Sequence, residues 1–161
     1  MTPSLAPPRA LWPLLARLVL GAAFLHLGTV KALDPVGFLK LVRQFDALSQ
    51  PFALNAVAAI LPWFEIVCGL LLLAGVRPRG TALVTLALLL GFTSLVAQRA
   101  WVIYRGGGWP FCAIRFDCGC GAGEVLICTK LAENTALALL ALAVLLWPGH
   151  RYCLWPETDT E

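Results

Sequence analysis

Residues 52–74 read FALNAVAAILPWFEIVCGLLLLA, an apolar run broken by one charged side chain, Glu65. A helix that crosses a bilayer needs about 20 predominantly apolar residues, and this run has them. Lipid offers the backbone no hydrogen-bonding partner, so a spanning segment must satisfy its own N–H and C=O groups. With no period-two alternation, the run is a helix and not a barrel strand. Three further stretches have the same character, at about residues 11–32, 80–100 and 124–147.

The composition agrees with that reading. The chain has 161 residues, of which 60% are hydrophobic and 13% charged, and its mean hydropathy is +0.82. A soluble domain carries about 25% charged residues, so this chain cannot furnish a charged skin and its apolar surface must face lipid. The sequence predicts an all-α, integral membrane four-helix bundle, a single membrane domain over residues 1–161. The net charge of +3 is scattered, with neither a basic run nor a glycine-rich phosphate loop. Nucleic-acid binding, which draws its affinity from clustered phosphate contacts, is excluded. Arg9, the apolar run from Leu11 and the small residues Gly21, Ala22 and Ala23 imitate a signal peptide. The run continues through Phe24 and Leu25 to Val30, however, which is long enough to span and reads as a retained anchor.

The connections orient the bundle. Between the second and third spans, Gly75-Val76-Arg77-Pro78-Arg79-Gly80 is a tight basic turn, and two arginines in a short turn favour the cytoplasm. Four spans then place both termini on the cytoplasmic side, in a bacterial inner (plasma) membrane. The full count does not decide the matter by itself: Arg9, Arg17, Arg77, Arg79 and Arg151 fall inside, against Lys31, Lys40, Arg43, Arg99, Arg105, Arg115 and Lys130 outside. In the first outer connection, Asp34-Pro35 is a helix-start signal. Phe38, Leu41, Val42, Phe45 and Leu48 then recur at helical spacing, which fits a short amphipathic helix on the membrane surface or an extension of a neighbouring span. The second outer connection, residues 101–123, is rich in glycine and in the aromatics of a membrane interface.

That second connection also carries the most reactive residues. Of six cysteines, Cys118 and Cys120 form a Cys-Gly-Cys unit in it. A disulfide closing so small a ring is strained, and strained bonds are the labile, catalytic ones. A purely structural staple is a poor reading, because so short a loop constrains little unfolded-chain entropy. A metal site built from Cys112, Cys118, Cys120 and Cys128 is an alternative, although five, one and seven intervening residues match no common metal signature. Inert thiols are a third reading. Cys112 shares the loop and could exchange with the pair, and Cys128, about one turn into the fourth span, could be a resolving thiol. Cys68 reads as core, and Cys153 falls at the opposite end.

Ionisable groups inside spans are costly and default to functional candidates. Glu65 sits within the second span, His26 and Lys31 in the outer half of the first, Arg99 at the end of the third, and Lys130, Glu133 and Asn134 in the outer third of the fourth. Residues 135–147 carry no charge. These groups therefore gather under the Cys118/Cys120 loop, or else each is an ion-paired or snorkelling side chain. A thiol pair above Lys, His and Glu groups is what electron transfer from a dithiol to a lipid quinone requires. His26, Lys31 or Lys130 could bond a quinone oxygen, and a carboxyl group could relay the proton.

Several of these residues, taken in order, resemble the MauE family, within the broader DoxX-like group of four-helix membrane proteins. They are Arg17 with Leu20-Gly21, Lys31 followed by Asp34-Pro35 and Phe38, and Pro62-Trp63-Phe64-Glu65 with Gly69. Arg105-Gly106, Cys118-Gly119-Cys120-Gly121 and Asn134 complete the set. Where the family usually reads Cys-Gly-Cys-Phe-Gly, this chain has Gly121-Ala122-Gly123 after the second cysteine. The resemblance implies a role in methylamine utilisation or related redox maturation, helping a periplasmic thioredoxin-like protein or another exported redox protein to form disulfides.

The expected function is thus a membrane thiol–disulfide oxidoreductase that exchanges through Cys118 and Cys120 and passes electrons to quinone, with no metal. A different class of reading is a non-catalytic anchoring or assembly subunit of a larger membrane complex. Solute transport is weaker, since no inverted repeat is present.

Overall fold

Four helices long and apolar enough to cross a bilayer dominate the fold: α1 (Leu11–Leu33), α3 (Pro51–Ala74), α4 (Pro78–Arg105) and α5 (Ile127–Leu146). A shorter helix, α2 (Pro35–Gln44), lies between the first two. The structure, a computed structural model, describes residues 11–45, 50–108, 110–117, 123–147 and 153–154. Leu15, Val19, Ile60, Leu83, Leu90 and Leu139 are each more than half exposed on the outside of the bundle. A continuous apolar exterior of this kind is stable only against lipid, so the chain is a multi-pass membrane protein.

Chain breaks occur where the local chemistry requires them. Asp34 ends α1 and caps α2, its carboxylate accepting the Gly37 N–H at 2.9 Å, with Pro35 at the first helical position. The predicted second helix is therefore a separate element and not an extension of α1, and it docks on the bundle through buried Phe38. Gly75 ends α3 with a left-handed φ of 71°, which places the Gly75 and Val76 N–H groups on the carbonyls of Leu72 and Leu71 at 3.2 and 2.9 Å.

Two expected boundaries are corrected. The third span starts at Pro78 and not near residue 80, because proline at the first helical position has no N–H to leave unpaired. The same helix runs past residue 100 to Arg105, where Trp101 and Tyr104 stack 5.8 Å apart and the Arg105 guanidinium lies 5.3 Å from the Trp101 ring. The fourth span starts at Ile127 and not at residue 124. Residues Glu124–Leu126 form strand β2, paired antiparallel with β1, Arg115–Asp117, after a 3-10 turn at Phe111–Ala113. The Ile127 N–H extends that ribbon to the Ile114 carbonyl at 3.1 Å. Residues 101–123, read as one loop, are thus a helix end, a glycine turn and the start of a hairpin.

Helix α1 packs mainly on α3, and α4 mainly on α5. Glycine sets the first of these interfaces. A Cβ on Gly69 would sit 2.8 Å from the Gly21 carbonyl oxygen, and one on Gly28 would sit 2.7 Å from that of Pro62. Backbone therefore lies on backbone, as small residues permit in membrane bundles. The core is layered along the bundle axis. Ala16, Ala82 and Val144 lie toward the Gly75 turn; Leu20, Phe24, Cys68, Leu72, Leu89 and Ala141 form the middle; and Val96, Ala100, Ile114 and Ile127 lie under the hairpin.

Candidate functional site

Between the middle layer and the hairpin layer, the helices place charge where apolar side chains would otherwise continue. Lys31 is 4% exposed and Glu65 8%. The Lys31 ammonium donates to both Glu65 carboxylate oxygens, at 2.5 and 2.7 Å. The close approach of α1 to α3 at Gly28 and Pro62 sets this register: the helices run antiparallel, so Lys31 lies one turn from the contact toward the hairpin and Glu65 one turn toward the Gly75 turn, and the long lysine side chain spans the offset. The ammonium also lies 5.4 Å from the Phe38 ring of α2 and 5.4 Å from the Phe92 ring of α4, so three other helices converge on one lysine.

Asn134 belongs to the same layer. On α4, Phe92 falls between Leu89 of the middle layer and Val96 of the hairpin layer; on α5, Asn134 falls between Ala138 and Leu131 of the same two layers. Asn134 is 3% exposed, and its side-chain Nδ2 has no hydrogen-bond partner among the described residues. A buried polar group left unpaired costs about 1–3 kcal/mol. One turn nearer the hairpin, buried Lys130 reaches the Glu133 carboxylate at 3.4 Å, while the Glu133 side chain is 58% exposed.

The other predicted polar residues lie apart from this group. His26 is exposed on α1, roughly 140° around the helix from Lys31. Arg99 is half-buried on α4 and makes no ion pair with the described residues. The polar layer thus gathers Lys31, Glu65 and Asn134, with Lys130 above them and Glu133 at the rim.

Above the layer, Cys112 in the 3-10 turn is joined to Cys128 in the first turn of α5, with Cα atoms 5.1 Å apart. The two residues read as potential exchange partners of the Cys118/Cys120 pair are here bonded to each other, and two of the four thiolates proposed for a metal are consumed. Among the described residues, no group of three or more His, Cys, Asp or Glu side chains could hold a metal ion. Cys118 and Cys120 lie outside the described residues, in the connection between β1 and β2. A cavity of about 340 Å³ lined by Ile103, Ala113, Ile114 and Arg115 opens beside the hairpin base.

A family model described as Methylamine utilisation protein MauE matches residues 9–148. The chain belongs to the MauE family. No curated protein and no solved structure matches it. The MauE match spans every residue of the polar layer, the hairpin and all cysteines except Cys153, and it supports a membrane protein associated with methylamine utilisation.

Within this MauE-family chain, sequence reasoning missed two participants in the polar layer and one buried charge outside it. Phe38 and Phe92 flank the lysine; Phe38 was marked by its place on the amphipathic helix, whereas nothing distinguished Phe92 in a leucine-rich span. The third is Arg17, 2% exposed at the opposite end of α1, whose Nη1 donates to the Cys153 sulfur at 2.9 Å. Its signal was an arginine in the middle of an apolar run. Buried charge is consequently not confined to the hairpin end.

Proposed function

We propose that this MauE-family protein is a thiol–disulfide oxidoreductase of the bacterial inner membrane, with both termini cytoplasmic and the cysteine hairpin facing the periplasm. Cys118 and Cys120 exchange disulfides with a thioredoxin-like or other exported redox protein and pass the electrons to quinone. One observation carries the reading: an unpaired Asn134 amide lies in the same buried layer as the Lys31–Glu65 pair, beneath a hairpin that carries cysteines.

The donor set fits a quinone. Asn134 Nδ2 is a neutral donor lacking an acceptor, Lys31 Nζ is a charged donor, and Phe38 and Phe92 offer flat apolar faces. A bound quinone supplies a two-electron, two-proton acceptor. The chain's own residues orient a carbonyl group through Asn134 and Lys31, exclude water by burial, and hold an exchangeable proton between Lys31 Nζ and the Glu65 carboxylate. Oxidation of a dithiol releases two electrons and two protons, matching what that acceptor consumes. Alanine at Cys118 or Cys120 should abolish quinone reduction by a reduced thioredoxin-like protein in proteoliposomes; undiminished turnover would remove the claim.

A further inference from the structure

The Cys112–Cys128 bond joins two unlike environments. Cys112 is exposed in the 3-10 turn. Cys128 is half-buried and packs against the cluster of Val96, Ala100, Ile114 and Ile127. It is also the second residue of α5, whose N-terminus has no side-chain cap. The first-turn N–H groups of a helix lack internal partners and carry its positive end, an environment that stabilises a cysteine thiolate. One sulfur is open to attack, and the other lies in the first turn of a helix, whose free N–H groups favour a thiolate.

A staple alone does not account for this position. The segments it ties are already joined by the β1–β2 ladder, by the Ile127 N–H to Ile114 carbonyl bond, and by the burial of both isoleucines. Cys128 also lies on the same helix as Asn134, six residues earlier, which is about 9 Å along the axis.

From this asymmetry we infer that Cys112–Cys128 is itself a redox-active disulfide with a fixed polarity: an incoming thiolate attacks the Cys112 sulfur, and Cys128 leaves as the thiolate. This rests on the oxidoreductase reading above and names two further catalytic residues for it. In the first step, a bond forms between the donor sulfur and Cys112 Sγ while the Cys112–Cys128 bond breaks, and Cys128 Sγ takes the electron pair. In the second, the donor's other thiol displaces Cys112, giving an oxidised donor and two reduced cysteines that carry its two electrons and two protons. The quinone proposed above accepts both and restores the disulfide. On the oxidoreductase reading the donor dithiol is Cys118/Cys120, itself reduced by the exported protein.

The test uses the full-length protein in nanodiscs with reduced glutathione as the attacking thiolate. The reaction is quenched in acid, free thiols are alkylated, and the first adduct is mapped by mass spectrometry. The expected adduct is on Cys112 with Cys128 alkylated, exceeding the reverse pattern by roughly tenfold, because the better-stabilised thiolate is the better leaving group. Equal adducts, an adduct mainly on Cys128, or a bond inert to glutathione overturns the inference. In the double variant C118S/C120S, assayed with a reduced thioredoxin-like protein, attack on Cys112 should slow at least roughly tenfold; an unchanged rate overturns delivery through the pair. If glutathione maps to Cys112 but no quinone is reduced, the oxidoreductase reading fails while the polarity stands.

Discussion

Replacing Glu65 with glutamine would leave the Lys31 ammonium in the bundle without its counter-charge. In the native protein that ammonium is bonded to both carboxylate oxygens, and the two side chains are only 4% and 10% exposed. Asp34, Glu124 and Glu133 lie at the hairpin end of the bundle, and Glu133 is engaged by Lys130. Removing one member of a buried pair costs about 3–5 kcal/mol. The Phe38 and Phe92 faces already lie 5.4 Å from the ammonium in the native protein and so offset none of this loss; E65Q should destabilise the protein by about 3–5 kcal/mol. K31M should cost a similar amount. The double variant K31M/E65M removes both charges together and should return to within about 1 kcal/mol of the native protein. Reversible unfolding in mixed micelles, followed by tryptophan fluorescence, measures all three. Single losses below about 1 kcal/mol, or a double variant equal to the sum of the singles, would refute the claim that these charges are desolvated and mutually dependent. On the proposed function, K31M/E65M is stable but reduces quinone poorly, which separates the role of the pair in the fold from its role in the reaction.

Other perturbations probe the surrounding parts. Asn134→Leu removes an unpaired buried donor, so stability should hold or rise by up to about 1–2 kcal/mol, while the KM for quinone in the proteoliposome assay rises roughly tenfold. Gly69→Leu drives a side chain into the α1 backbone and should destabilise by at least about 1–3 kcal/mol, seen as a lower midpoint in the same unfolding titration. Asp34→Ala deletes the α2 cap and should cost about 1 kcal/mol, with faster amide exchange confined to residues 35–44 by hydrogen–deuterium mass spectrometry.

The spans were legible because length and apolar character alone decide them, and α2 was legible because Asp34-Pro35 is a local signal with a local consequence. Features that depend on partners distant in sequence were not. Glu124–Leu126 looks like the start of an apolar helix until Arg115–Asp117 is brought alongside it. Lys31 and Glu65 each stood out as expensive, but their pairing follows from the glycine contacts that set the register of α1 on α3. The pairing of Cys112 with Cys128 cannot be deduced from spacing when several cysteines share one region. His26 and Arg99 had the same credentials as Lys31, and only the faces they occupy distinguish them. The burial of Arg17 shows that a charge in a span can belong to either end, and His26 and Arg99 fall outside the polar layer, so a gathering under the hairpin does not describe every ionisable group in the spans.

The seam of bare backbone between α1 and α3 also bears on how the chain enters the bilayer. Helix α1 is synthesised first and ends with an ammonium in its last turn, which in isolation must stretch toward the headgroups, because a lysine at mid-bilayer is disfavoured by about 2.5–3.5 kcal/mol. Its counter-charge is not made until 34 residues later. The two helices therefore become comfortable in lipid only as a couple, and the glycines that let them touch are what brings the opposite charges to the same depth. Pairing with α3 lets Lys31 turn inward to its counter-charge, where α1 alone would hold the same side chain out toward water.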